Sequence, residues 1–214
     1  MSRCRPFEPD LGNSGVGIKM AKKSNLLNEK AVGKTGIEAA KKNAPRRLVL
    51  TSIMIALGVS LSVYPGAIPI GPTRVFPFQH MINGITGVIL GPLNAALIAI
   101  GIGVLRMVLG TGTIFALAGG VPGAIVVGIA YHYLKKNDAA VLAEPIGTAI
   151  GALISALFIA PYVGTAAFPP FLGFTAQWQL FTIFFMMSSV PGAILGFIIL
   201  AALRRRGVLA RLLL

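Results

Sequence analysis

The sequence predicts an all-α fold: a polytopic membrane bundle of about six transmembrane helices. Three observations carry that expectation. Apolar residues make up 55% of the 214 positions and charged residues only 12%, about half the charged share of a soluble domain. Mean hydropathy is +0.81. The charges are also segregated: between residues 48 and 134 only Arg74 and Arg106 carry a formal charge. Uncharged stretches of that length read as bilayer-spanning material, since one span needs ~20 apolar residues.

The elements follow in order. Residues 1–44 form a basic, polar leader with no apolar run of signal-peptide length, expected to be disordered. Cys4 is the sole cysteine, so neither a disulfide nor a cysteine metal site can form within one chain. Met20, before Ala21-Lys22-Lys23, is a plausible alternative start. The transmembrane domain is expected over 45–207, with a short tail over 208–214.

Arg46-Arg47 mark the membrane edge, and the first helix runs over 48–64. Pro65, Pro69, Pro72 and Pro77 then forbid a helix and predict a long apolar loop. A single helix over 78–110 would be about 50 Å long, well beyond the ~30 Å hydrocarbon core. Gly91-Pro92 divides that block into helices over 77–90 and 92–109. Gly110-Thr111-Gly112-Thr113 makes a tight turn, and the fourth helix covers 114–134, ending in the interfacial Tyr131-His132-Tyr133. The fifth covers 139–160. A second Pro/Gly loop follows over 161–175, and the sixth helix covers 176–203, with Pro191-Gly192 a predicted kink. Basic clusters at Arg46-Arg47, Lys135-Lys136 and Arg204-Arg205-Arg206 fall on one side only if the span count is even. The positive-inside rule then puts both termini in the cytoplasm of a cell-membrane protein.

The net charge of +13 does not indicate nucleic acid, because no basic stripe with interleaved aromatics lies in a folded segment. No phosphate-binding Gly-rich loop and no paired-carboxylate or metal motif appears, so neither enzyme chemistry nor ATP hydrolysis nor a cofactor is expected. Intramembrane acids are nearly absent, so any active transport would draw its energy from another polypeptide.

The polar residues within spans can be weighed singly. Gln79, Asn83 and Thr86 share a helix face, with His80 beside it. They form either a ligand-facing stripe or interhelical hydrogen bonds. Arg106 either orders loop carbonyls, snorkels outward or meets a ligand, and the structural role is favoured. Thr111 and Thr113 sit in the tight turn. Trp178, with Gln179 and Thr182, is a membrane-belt residue or a stacking platform. Glu144 reads as a helix N-terminal residue paired with Lys135 or Lys136. It lies more than ~20 Å from Arg106 by helix rise, which argues against an intramembrane enzyme built on His80, Arg106 and Glu144. Ser52, Ala56 and Ser60 form a small-residue ridge, as do Ala95-Ala99-Gly103 and Gly147-Gly151-Ser155.

The stretches FPFQHMINGITGVILGP (76–92), RMVLGTGTIFALAGGVPGAIVVGIAYHY (106–133) and AEPIGTAIGALISALFIAPYVG (143–164) resemble the ThiW family, substrate-binding (S) components of energy-coupling-factor (ECF) transporters. The resemblance covers residues 46–206. It implies a six-helix S component that captures a small heteroaromatic substrate at the outer face. It also implies work with a transmembrane coupling subunit and two cytoplasmic ATPases, and a cargo of hydroxyethylthiazole, a thiamine precursor. The implied coupling contact maps to Ala56 with Ser52 and Ser60, where serine replaces the usual alanine. The residues Gln79, His80, Asn83, Arg106, Thr111, Thr113, Trp178, Gln179 and Thr182 are the candidate substrate contacts. The alternatives are an S component for thiamine or hydroxymethylpyrimidine, or an integral membrane enzyme.

Overall fold

The computed structural model describes residue 22 and residues 44–64, 66–70, 73–163, 173 and 177–209. Cys4, Met20, nearly all of the basic leader, most of the 161–175 loop and the last five residues lie outside the described residues. The chain divides after Leu48, and all packing described below belongs to the part from Val49 onward.

The described helices form six rods: α1 (Ala44–Val63), α2 (Pro77–Leu90), α3 (Pro92–Val108), α4 (Phe115–Tyr133), α5 (Asp138–Val163) and α6 (Gln177–Arg205). α5 is composite. A 3₁₀ turn over Asp138–Ala143 leads into α-helix over Glu144–Ile154, then a π segment over Ser155–Ile159 and a last α turn over Ala160–Val163. α6 runs unbroken through Pro191, so the predicted kink does not divide it.

Four rods (α1, α4, α5 and α6) are long and apolar enough to cross a membrane, while α3 is a shorter apolar helix. α2, at 14 residues, is about 21 Å long, short of the ~30 Å core. Among the described residues the structure thus has four full-length candidate spans, consistent with a multi-pass membrane protein, and two shorter rods. Gly91 (φ +80°) links α2 to α3, and Pro92 opens α3 where its missing N–H costs no helical bond.

The fold is not purely helical. Ile68–Ile70 (β1) and Thr73–Val75 (β2) form an antiparallel hairpin in register Ile68↔Val75 and Ile70↔Thr73, where a non-helical loop was expected. The proline argument excluded helix there correctly. Two strands of three residues are too short to leave an alternating pattern.

α2 is the pivot. Eleven of its 14 residues are buried, and it packs against α3, α4 and α6. That position explains its composition: a helix walled by protein rather than lipid can carry polar groups, provided neighbours satisfy them. Around it lies a core of Met81, Ile82, Ile85, Ile98, Ile102, Val127 and Leu200. Glycine sets the close approaches. A Cβ at Gly87 would lie 2.7 Å from a Val127 methyl of α4, and one at Gly128 within 2.5 Å of the Pro92 backbone of α3. α1 joins through Ile55 against Gly101, and through Gly58 against Ile102.

Candidate functional site

The polar residues of the bundle converge on α2 from four neighbours. At its centre stands Glu144, wholly buried in the first α-helical turn of α5. Its Oε1 accepts from His80 Nδ1 at 2.7 Å and from Thr148 Oγ1 at 2.9 Å, and its Oε2 accepts from Ser189 Oγ of α6. Thr148 Oγ1 also lies 3.3 Å from the Gly119 carbonyl oxygen of α4. The expected pairing of Glu144 with Lys135 or Lys136 is therefore corrected. Those lysines occupy a left-handed turn (φ +51° and +64°) after α4, while the carboxyl group points into the bundle. α4 makes room for it by lacking side chains: a Cβ at Gly123 would overlap Glu144 Oε1 and sit 2.9 Å from Thr148 Oγ1.

One residue back along α2, a second set of bonds runs toward the hairpin. Gln79 Nε2 donates to Ala116 O of α4 at 3.1 Å, and Gln79 Oε1 accepts from Arg106 Nη1. Arg106 Nη2 donates to Thr111 O at 3.0 Å, and its carbon Cζ lies 3.8 Å above the Phe76 ring. The Arg106 carbonyl in turn accepts from the backbone N–H groups of Thr111 (2.9 Å) and Gly112 (3.0 Å). Arg106 is 1% exposed and clasps three elements: α2, the α3–α4 turn and the hairpin's exit. This is the loop-ordering role favoured from sequence. Asn83 donates to Gly120 O at 3.2 Å, whereas Asn83 Oδ1 and Arg106 Nε find no hydrogen-bond partner among the described residues.

The separation assumed between Arg106 and Glu144 is also revised. Arg106 bonds Gln79, and the next residue, His80, bonds Glu144, so a continuous path through α2 joins them. Helix rise counted along separate helices missed this, because it took no account of α2 lying between them.

Above the clasp is a cavity of about 360 Å³ lined by Ser62, Val63, Ala67, Pro69, Arg74, Phe76, Gly110 and Thr111. Of the candidate substrate contacts, only Thr111 lines it. Gln79, His80, Asn83 and Arg106 are buried beneath, and Thr113 is exposed. Trp178 is 48% exposed at the start of α6, where Thr182 Oγ1 donates to its carbonyl at 2.7 Å; Gln179 is half-buried nearby. Sequence reasoning passed over Phe76, Arg74 and Ser62, and also the Ser188–Ser189 pair, whose Ser188 hydroxyl accepts from the Phe76 N–H at 3.1 Å. Two adjacent hydroxyls in an otherwise apolar helix were the available signal.

Lysine at position 106 would keep the charge but lose the planar fork that serves two acceptors at once. We expect Arg106→Lys to cost about 1–2 kcal/mol, read as a lowered thermal midpoint of the detergent-solubilised protein. A midpoint equal to wild type would rule out the clasp.

Fold and site together define a multi-pass membrane protein. Its polar groups are gathered against one short buried helix, below a cavity at one end of the bundle. The family of thiamine-precursor transporter proteins, ThiW, has a model that matches residues 48–206, and the chain belongs to that family. It is a transporter family, not an enzyme family, which agrees with the lack of a catalytic motif. No curated relative and no solved structure matches the chain.

Proposed function

We propose that the protein is the substrate-capture component of an ECF-type importer and that its cargo is hydroxyethylthiazole, bound in the cavity at the hairpin end. That cavity is the observation that carries the reading. Its volume, about 360 Å³, is at the small end of ligand pockets, as suits a single five-membered ring. Phe76 supplies a flat wall, held from behind by Arg106, and Ser62 and Thr111 supply polar atoms for a hydroxyl. In this reading all six rods cross the cell membrane, α2 and α3 do so with the help of their flanking segments, and both termini are cytoplasmic. The hairpin end then faces outward. Arg106, bonded to Gln79, braces the Phe76 wall from behind.

A partner is required because no nucleotide-binding loop is present. Ser52, Ala56 and Ser60 all lie on the exposed face of α1, beside Val49, Ile53 and Leu57. A small-residue ridge of this kind allows another helix to come close, and we assign it to the transmembrane coupling subunit that works with two cytoplasmic ATPases.

The test is calorimetric titration of the purified chain alone with hydroxyethylthiazole, thiamine and hydroxymethylpyrimidine. Hydroxyethylthiazole should bind without ATP or partner. Phe76→Leu should weaken it by roughly three- to tenfold, the worth of an aromatic contact. Preference for the pyrimidine would overturn the cargo, and turnover by the isolated chain would overturn the class.

A further inference from the structure

Among the described residues the hairpin end carries charge of one sign only. From residue 44 onward the sequence contains just two acids, Asp138 and Glu144. Asp138 is taken at the opposite end of the bundle by Arg204, whose Nε and Nη2 each donate to it at 2.5 Å. Glu144 is 0% exposed and held by His80, Thr148 and Ser189. Neither lines the cavity, and residues 164–176 add no acid by sequence. Arg74 does line it. Arg74 lies opposite Pro69 in the hairpin register, and no carboxylate pairs with it among the described residues. The second cation, Arg106, lies directly behind the Phe76 wall.

Accepting the cargo reading above, we propose that Arg74 is a specificity-determining residue that filters by charge. The cavity admits an uncharged or anionic heteroaromatic ring and rejects a permanent cation such as the quaternised thiazolium of thiamine. Two unit charges about 6 Å apart at an effective dielectric near 20 repel enough to weaken binding by roughly ten- to a hundredfold after partial screening. A hydroxyl and an aromatic wall alone would not discriminate in this way, because a thiazolium presents the same ring face and the same alcohol.

The experiment compares hydroxyethylthiazole with its N-methyl thiazolium, which differs by one methyl group and one charge, in a neutral detergent. Wild-type protein at low salt should bind the cation about ten- to a hundredfold more weakly. The ratio should shrink several-fold in Arg74→Gln, and also in wild-type protein as salt is raised, because Arg74 is exposed. Equal binding of the two rings overturns the filter. So does a ratio that neither Arg74→Gln nor salt alters, since that result belongs to the bulk of the methyl group. Failure of the neutral thiazole to bind at all is a different result: it removes the cargo reading and the filter together.

Discussion

Replacing Glu144 with alanine is expected to destabilise the bundle by about 2–4 kcal/mol. The three donors to its carboxyl group do not suffer equally. Thr148 has a second acceptor near it, the Gly119 carbonyl at 3.3 Å, and Ser189 sits in a helix whose own carbonyls can take a hydroxyl. Each loses about 0.6 kcal/mol, a typical hydrogen bond between membrane helices. His80 has no such fallback. His80 is a buried residue, 7% exposed; its Nδ1 would be left with only the Thr148 oxygen at 3.4 Å, and a buried unpaired polar group costs ~1–3 kcal/mol. Loss of the side chain also opens a void against Gly123. The thermal midpoint should fall by roughly 5–15 °C. Glu144→Gln fills the same volume but presents an N–H₂ to one of the donors, so it should fall between alanine and wild type. If both variants melt with the wild type, the carboxyl group does not organise α2, α5 and α6.

Much of this architecture was legible in the chain, and the reasons are specific. Gly91-Pro92 marks the α2–α3 boundary because glycine takes the left-handed backbone and proline has no N–H to donate a helical bond. The four-residue spacing of Gln79 and Asn83 placed both on one face, and both do bond α4 carbonyls, at Ala116 and Gly120. What failed to show were partners distant in sequence. Glu144 looked like a cap because two lysines lay close by, whereas its true partners, His80 and Ser189, are 64 and 45 residues away. The glycines of α4 were equally silent. Gly119, Gly120 and Gly123 read as ordinary membrane-helix composition, yet side chains from α2, α5 and α6 fill the space beside them. The hairpin was hidden by its brevity, and with it the position of Arg74 and Phe76.

The contact between α4 and α5 is expected to be the least tolerant in the molecule, and Gly151→Val should abolish folded protein. A Cβ at Gly151 would overlap the Ala118 carbonyl oxygen, 2.7 Å from its carbon and 2.9 Å from Gly119 Cα. One turn earlier, a Cβ at Gly147 would overlap Pro122 O and lie 2.7 Å from Gly123 Cα. All of these obstacles are backbone, so no rotamer change relieves them, and the helices would have to part by on the order of 1 Å. That movement would carry Glu144 and Thr148 away from His80, so the polar centre and the close packing would fail together. Gly151→Ala imposes the same first carbon and should lower the yield of monodisperse protein sharply. Ile150→Ala, one residue away but 48% exposed, should behave nearly as wild type. Size-exclusion profiles of the three variants, solubilised in one detergent, decide the matter. A monodisperse Gly151→Val with unchanged thiazole binding would mean that α4 and α5 do not approach as closely as these distances require.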